Sequence, residues 1–248
     1  MKRLRPWISI ACITCSCFST VRAQHTQLWL DLVMDYPFAN QYLFEMEASY
    51  QRLLTNDSTW RSINFTPTLE YQFFNNVDLI FSVPLAYTAQ TEDYDSFEAR
   101  LSFEGRIHLT QNKRVNTRLV LKGEKRYFLN VDEDAWENST RARVKAEATI
   151  SINAPDLYRD KLWYAIVDYE EFFVTDQELN ERYSNKRRAR LGAGYRLDYR
   201  NRFELIFTLQ SSRNKIHDDF TSTDNVVQLR YKMFFNPSRP ASIQDQTQ

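Results

Sequence analysis

Residues 97–110, FEARLSFEGRIHLT, decide how the rest of the chain is read. Phe97, Ala99, Leu101, Phe103, Ile107 and Leu109 share one parity, with Gly105 among them. Glu98, Arg100, Ser102, Glu104, Arg106, His108 and Thr110 share the other. A helix advances about 100° per residue and would scatter both sets around its axis. A strand changes side at every residue, so it alone separates an apolar face from an ionic one this cleanly.

The same period of two recurs outward from this stretch. Residues 60–73 set Ile63, Phe65, Pro67, Leu69, Tyr71 and Phe73 against Ser62, Asn64, Thr66, Thr68 and Glu70. Residues 139–152 set Ala142, Val144, Ala146, Ala148, Ile150 and Ile152 against Arg141, Arg143, Lys145, Glu147, Thr149 and Ser151. Residues 187–199 set Ala189, Leu191, Ala193, Tyr195, Leu197 and Tyr199 against Arg188, Arg190, Gly192, Gly194, Arg196 and Asp198. Residues 226–235 alternate in the same way, and weaker versions occupy 27–36, 41–54, 77–90, 115–129, 161–174 and 202–213. That gives about eleven candidates, most of them longer than the five or six residues usual in soluble strands and long enough to cross a bilayer at a tilt.

The connections alternate too. Short ones fall at 37–40, 75–76, 111–114 and 200–201, and longer polar ones at 55–59, 91–96, 130–138, 175–185 and 214–224. Short turns at one rim and longer loops at the other are the habit of bacterial outer-membrane barrels. The sequence therefore predicts an all-β fold, an antiparallel transmembrane β-barrel of 10–12 strands. Single-chain bacterial barrels have even strand numbers, so ten or twelve is expected, with both chain ends at the periplasmic rim. A secreted β-sandwich is the competing fold; the strand length, the ionic inward faces and the presence of only 4 Gly weigh against it.

Composition agrees. Lys+Arg and Asp+Glu are balanced at 32 each, which excludes a polybasic anchor or a nucleic-acid partner as a sequence-level reading. Tyr and Phe, at 14 and 17, suit strands that meet lipid and headgroups. A mean hydropathy of −0.56 would suggest a soluble chain, but only alternate residues of a barrel face lipid. Lys2, Arg3 and Arg5, the apolar stretch 7–18 and Val21-Arg22-Ala23 read as a secretory signal over 1–23, cut after Ala23. Cys12, Cys15 and Cys17 all lie inside it, so a mature chain has neither disulfides nor thiol chemistry. The barrel is then 24–235, followed by a polar periplasmic tail at 236–248.

Several local features resemble one family. They are Gln27-Leu-Trp29-Leu near the mature start, the aromatic and acidic run 163–173 (WYAIVDYEEFF), 188–196 (RARLGAGYR), and the aromatic finish 231–235 (YKMFF). The chain resembles the DUF2490 family of uncharacterised outer-membrane barrels, common in Bacteroidota. The resemblance implies a barrel in a Gram-negative envelope and carries no substrate or catalytic residue.

On the barrel reading, the inward faces hold the candidate chemistry. The bases expected there are Arg118, Lys122, Arg126, Arg141, Arg143, Lys145, Arg188, Arg190 and Arg196. The acids are Glu45, Glu47, Glu70, Glu98, Glu104, Glu124, Glu147 and Glu204. A wall of unpaired bases would make a narrow pore that selects small anionic solutes such as acidic sugars. Bases paired with acids across a small lumen would make a closed barrel with a structural envelope role instead of a porin-like one. A third class is a rim enzyme hydrolysing lipid or peptide, with His217, Asp218, Asp219 and Ser211 or Ser212 in an outer loop; without a motif these read as a solvated loop. No catalytic residue, metal ligand or cofactor is assigned, and the expected partner is outer-membrane lipid. Gly192 and Gly194 lack phosphate-loop spacing and lie in a strand, where small residues let a neighbouring lumen side chain approach.

Overall fold

A computed structural model describes residues 25–39, 41–54, 60–89, 95–111, 113–174, 184–214 and 219–235. The expected signal segment, the tail and His217 lie outside these residues. The strands are β1 (His25–Phe38), β2 (Tyr42–Leu53), β3 (Arg61–Phe74), β4 (Val77–Ser82), β5 (Leu85–Ala89), β6 (Ser96–His108), β7 (Val115–Asn130), β8 (Ala135–Ser151), β9 (Leu162–Val174), β10 (Ser184–Arg196), β11 (Asn201–Asn214) and β12 (Asp219–Phe234). They form one sheet in which strands pair in chain order, with β4 and β5 both lying between β3 and β6, and β1 pairs with β12, so the sheet closes on itself.

β4 and β5 together make one wall strand between β3 and β6. The break at Val83 and Pro84 falls opposite Pro67, where neither proline has an N–H to give the ladder. Val83 N still donates to Pro67 O at 3.1 Å, and Pro84 O accepts from Arg100 N at 2.9 Å, so the wall stays continuous across the interruption.

The wall therefore has eleven strands, which departs from the even number expected. All neighbours run antiparallel except β1 and β12, which are parallel from His25↔Asp224 to Asp35↔Phe234. An odd number of traversals brings first and last strands together pointing the same way. The chain ends consequently leave at opposite rims, not at one: His25 starts at the rim of the longer connections and Phe235 ends at the rim of the short turns.

The connection expected over 130–138 is only a four-residue turn at 131–134. Asn130 Oδ1 accepts from the backbone N–H groups of Asp132 and Glu133, and Asp134 takes a φ of 50°. The polar cluster folds as a tight turn, and the strand alternation resumes at Ala135. With 4 Gly in the whole chain and none of them at a turn, left-handed turn positions fall to Ala39, Asp134 and Lys161.

Outward faces are apolar. Leu30, Leu32, Phe65, Leu101, Phe103, Leu121, Val167, Leu191, Leu205 and Leu229 are all exposed on the outside. Aromatic rings band this surface at both ends. Near the short-turn rim, Phe38, Tyr42, Tyr71, Phe73 and Phe74 stack in a chain, and Trp163 meets Tyr195 while Phe203 meets Tyr231. Toward the other rim stand Tyr50, Tyr87, Tyr127, Trp136 and Tyr169.

Candidate functional site

Strand parity puts polar side chains inside. Gln27, Asp31, Asp35, Ser49, Asp78, Ser102, Glu124, Arg126, Arg141, Asp168, Glu170, Thr208, Gln210 and Gln228 are buried although the chain has no conventional apolar core of that size. Buried charge in such number demands partners, because each unpaired ion costs several kcal/mol of desolvation.

The partners come from the same strand, the next one or the one beyond it. Glu124 on β7 accepts from Arg141 Nε at 2.8 Å and Arg143 Nη1 at 2.9 Å, both on β8. Arg143 also donates to Glu170 on β9, at 2.9 Å from Nε and 2.6 Å from Nη2. Arg126 meets Glu98 at 2.6 Å, Arg190 meets Asp168 at 2.7 Å, and Lys145 meets Glu147 at 2.8 Å. Arg118 also pairs with Glu147. Lys122 sits 3.8 Å from Glu104 and 3.7 Å from Glu124. Tyr164 Oη donates to Glu204 at 2.7 Å, and Glu204 lies 3.4 Å from Arg230. Glu70 takes Arg106 at 2.8 Å, and Glu45 takes Lys232 at 2.8 Å.

Two levels of the lumen differ in chemistry. Toward the short-turn rim the inward side chains are tied to one another and to the turns. His108 bonds Asp78 at 2.6 Å, Lys232 bridges to Asp35, and Arg196 donates to Leu157 O at 2.9 Å in the β8–β9 connection. Val33, Leu162, Tyr164 and Ile206 are buried there as well. Gly194 makes room for Tyr164, its register partner: a Cβ at Gly194 would lie 2.2 Å from that ring. The reading of these glycines as points of close approach is thus met in the fold.

Above this floor, toward the longer connections, lies a chamber of about 440 Å³. Trp29, Trp60, Phe128 and Phe172 line it, together with Gln27, Gln51, Asn64, Thr88, Gln210 and Gln228. Lys122, Arg126, Arg141, Arg143, Lys145, Arg188 and Arg190 line it as well, as do Glu45, Glu47, Glu98, Glu104 and Glu124. Three guanidinium groups gather on the Phe172 ring, those of Arg141 at 5.1 Å, Arg143 at 4.7 Å and Arg188 at 5.6 Å.

Every expected base and acid thus has an inward position, but the bases do not form a ladder of unpaired cations, because carboxylates interleave with them on adjacent strands. Sequence reasoning missed Asp31 and Asp35 on β1, Asp168 and Glu170 on β9, and Arg230 and Lys232 on β12. The inward face of β9 also carries Tyr164, Ile166 and Phe172, which blurs its alternation; parity carried in from β8 through the register would have found the two acids. Among the described residues no cluster of His, Cys, Asp and Glu could hold a metal ion.

A family model described as "Protein of unknown function (DUF2490)" matches residues 26–241, nearly the whole barrel. No curated protein matches the chain.

Proposed function

Since the chain belongs to the DUF2490 family, whose function is unknown, we propose a role from the lumen itself: a closed barrel embedded in the outer membrane, with no conducting path and no catalytic centre. The observation that carries it is the interleaving of ion pairs across the lumen, in which Glu124, Glu147, Glu70, Glu45 and Glu204 each hold a base from a nearby strand of the wall. An anion-selective pore needs cations whose charge is left for the solute. Here that charge is already compensated by fixed carboxylates. Membrane placement is supported by the outward apolar band and its two aromatic girdles, the pattern by which lipid and headgroup layers are met. No helix among the described residues is long and apolar enough to cross a membrane.

Outer-membrane lipid is the partner this surface fits. His108, the one histidine whose side chain is described, serves Asp78 and is part of the floor. The test is single-channel recording of the refolded chain from Gln24 onward in a planar bilayer. Inserted, folded protein that stays electrically silent is the expected result. Stable openings would overturn the closed-lumen reading, and a reversal potential favouring anions would restore the pore.

A further inference from the structure

Most charged groups of the lumen hold a close partner, while a few, Arg100, Arg202 and Arg188 among them, keep a buried nitrogen without a hydrogen bond. Arg188 on β10 projects into the chamber between the rings of Trp29, 5.4 Å away, and Phe172, 5.6 Å away. Its Nε has no hydrogen-bond partner. Its nearest carboxylate, Glu170, stays 3.8 Å off and gives Oε1 to Arg143, leaving Glu170 Oε2 also without a hydrogen bond. Only a long contact remains, Arg188 Nη2 to Gln210 Oε1 at 3.4 Å. The side chain keeps just 12% of its surface exposed, so bulk water does not stand in for the missing acceptor.

Unpaired amide atoms surround it. Trp29 Nε1 donates to Gln27 Oε1 at 2.9 Å, which fixes that amide while its Nε2 has no partner. Gln228, in register with Trp29 across the seam, gives its amide N–H to Asp31 and keeps Oε1 unpaired. Asn64 Nδ2 on β3 is unpaired as well, and all of these groups line the same chamber. Buried polar atoms are normally satisfied, so a cluster of exceptions around one cavity marks where a polar occupant belongs.

We infer that this chamber binds an acidic sugar, its carboxylate on Arg188 and its ring against Trp29. The Nη groups of this guanidinium, which make only long contacts at 3.8 Å and 3.4 Å, are donors left for a carboxylate. The Trp29 indole gives a flat apolar wall for a saturated ring, and the amide side chains of Gln27, Gln228 and Asn64 that line the chamber match hydroxyl groups. A volume of about 440 Å³ suits one or two sugar rings and is within the usual range of small-ligand sites. The ligand enters from the rim of the longer connections and stops at the ion-pair floor, so the site rests on the closed-barrel reading only for where the ligand halts.

The test uses the folded full barrel in detergent micelles with D-glucuronate as probe, and D-glucose and acetate as controls, followed by intrinsic tryptophan fluorescence. Glucuronate should give a saturable change that neither control matches at equal concentration. Arg188→Gln should weaken glucuronate at least about tenfold while the empty barrel unfolds at the same or higher denaturant concentration, since an under-partnered buried cation has been removed. An arginine with a merely structural role would do the reverse and lower the unfolding midpoint. Trp29→Leu is the second variant and should also lose the probe. No saturable response in the wild-type barrel, or equal affinity in both variants, overturns the site; equal response to acetate overturns the sugar. Channel openings with glucuronate binding intact would remove the closed-barrel reading and leave the site standing.

Discussion

Lys232 on the last strand stands 3.2 Å from Asp35 on the first, so an ion pair crosses the seam where the barrel closes. The same ammonium reaches Glu45 on the second strand at 2.8 Å, which ties three successive wall strands together from the inside. Asp35 is only 1% exposed and has no other cation this close. Lys232→Met should therefore destabilise the barrel by about 3–5 kcal/mol, the usual cost of leaving a buried charge without its partner. Adding Asp35→Asn should recover part of that loss. Equilibrium urea unfolding in lipid vesicles measures both, and an unchanged midpoint would mean that backbone pairing alone holds the parallel seam.

Gly194 and Tyr164 make a tighter demand. The ring occupies the place a Cβ would take, and its hydroxyl is committed to Glu204. Gly194→Ala should cost about 1–3 kcal/mol through overpacking. Tyr164→Leu in the same chain should relieve the clash, so the two changes together should cost less than the sum of each. Additive midpoints would show that the ring moves aside freely.

The outward band makes a prediction about solvent. Leu121 projects from β7 near the middle of the wall and is 47% exposed. Leu121→Arg should lower stability by about 2–4 kcal/mol in a bilayer if this face meets hydrocarbon. A water-facing leucine would give almost no change. Folding titrations in vesicles, compared with wild type, separate the two.

In the β10–β11 turn, Asp198 Oδ1 accepts from the backbone N–H groups of Arg200 and Asn201, each at 2.8 Å, and from the Asn201 side chain at 3.0 Å. The Asn201 amide foremost, and the turn N–H groups after it, hold this carboxyl below its ordinary range. A depressed folded-state value contributes stability above the unfolded value of about 3.9, and that contribution fades as pH falls through the folded one. Asp198→Ala should thus lower the unfolding midpoint modestly at neutral pH. The gap to wild type should close as pH drops below about 4. A gap that does not change with pH would assign the turn to backbone geometry alone.

The alternation at 97–110 and its repeats already contained the barrel, the parity of the clearly alternating strands and the approximate strand number, though not the inward acids of β9. These are local matters: a pleated strand puts neighbours on opposite faces whatever lies beside it. Gly194 was legible for the same reason, since a glycine on a lumen face leaves space that only an inward neighbour can use.

Other features exist only once strands are placed side by side. Nothing in the sequence says that Val33 pairs with Lys232, because their registry depends on eleven traversals closing with a parallel seam. An even count would have set the ends antiparallel and brought the chain termini to one rim. Whether Arg143 is a free cation or a bridge between Glu124 and Glu170 is likewise decided by the register of β7, β8 and β9. Sequence by itself determined which side chains face inward, since that depends on the chain's own period. Tertiary structure decided which of them neutralise one another and which, like Arg188, are left facing an unfilled chamber, since electrostatic pairing depends on distances between strands far apart in the chain.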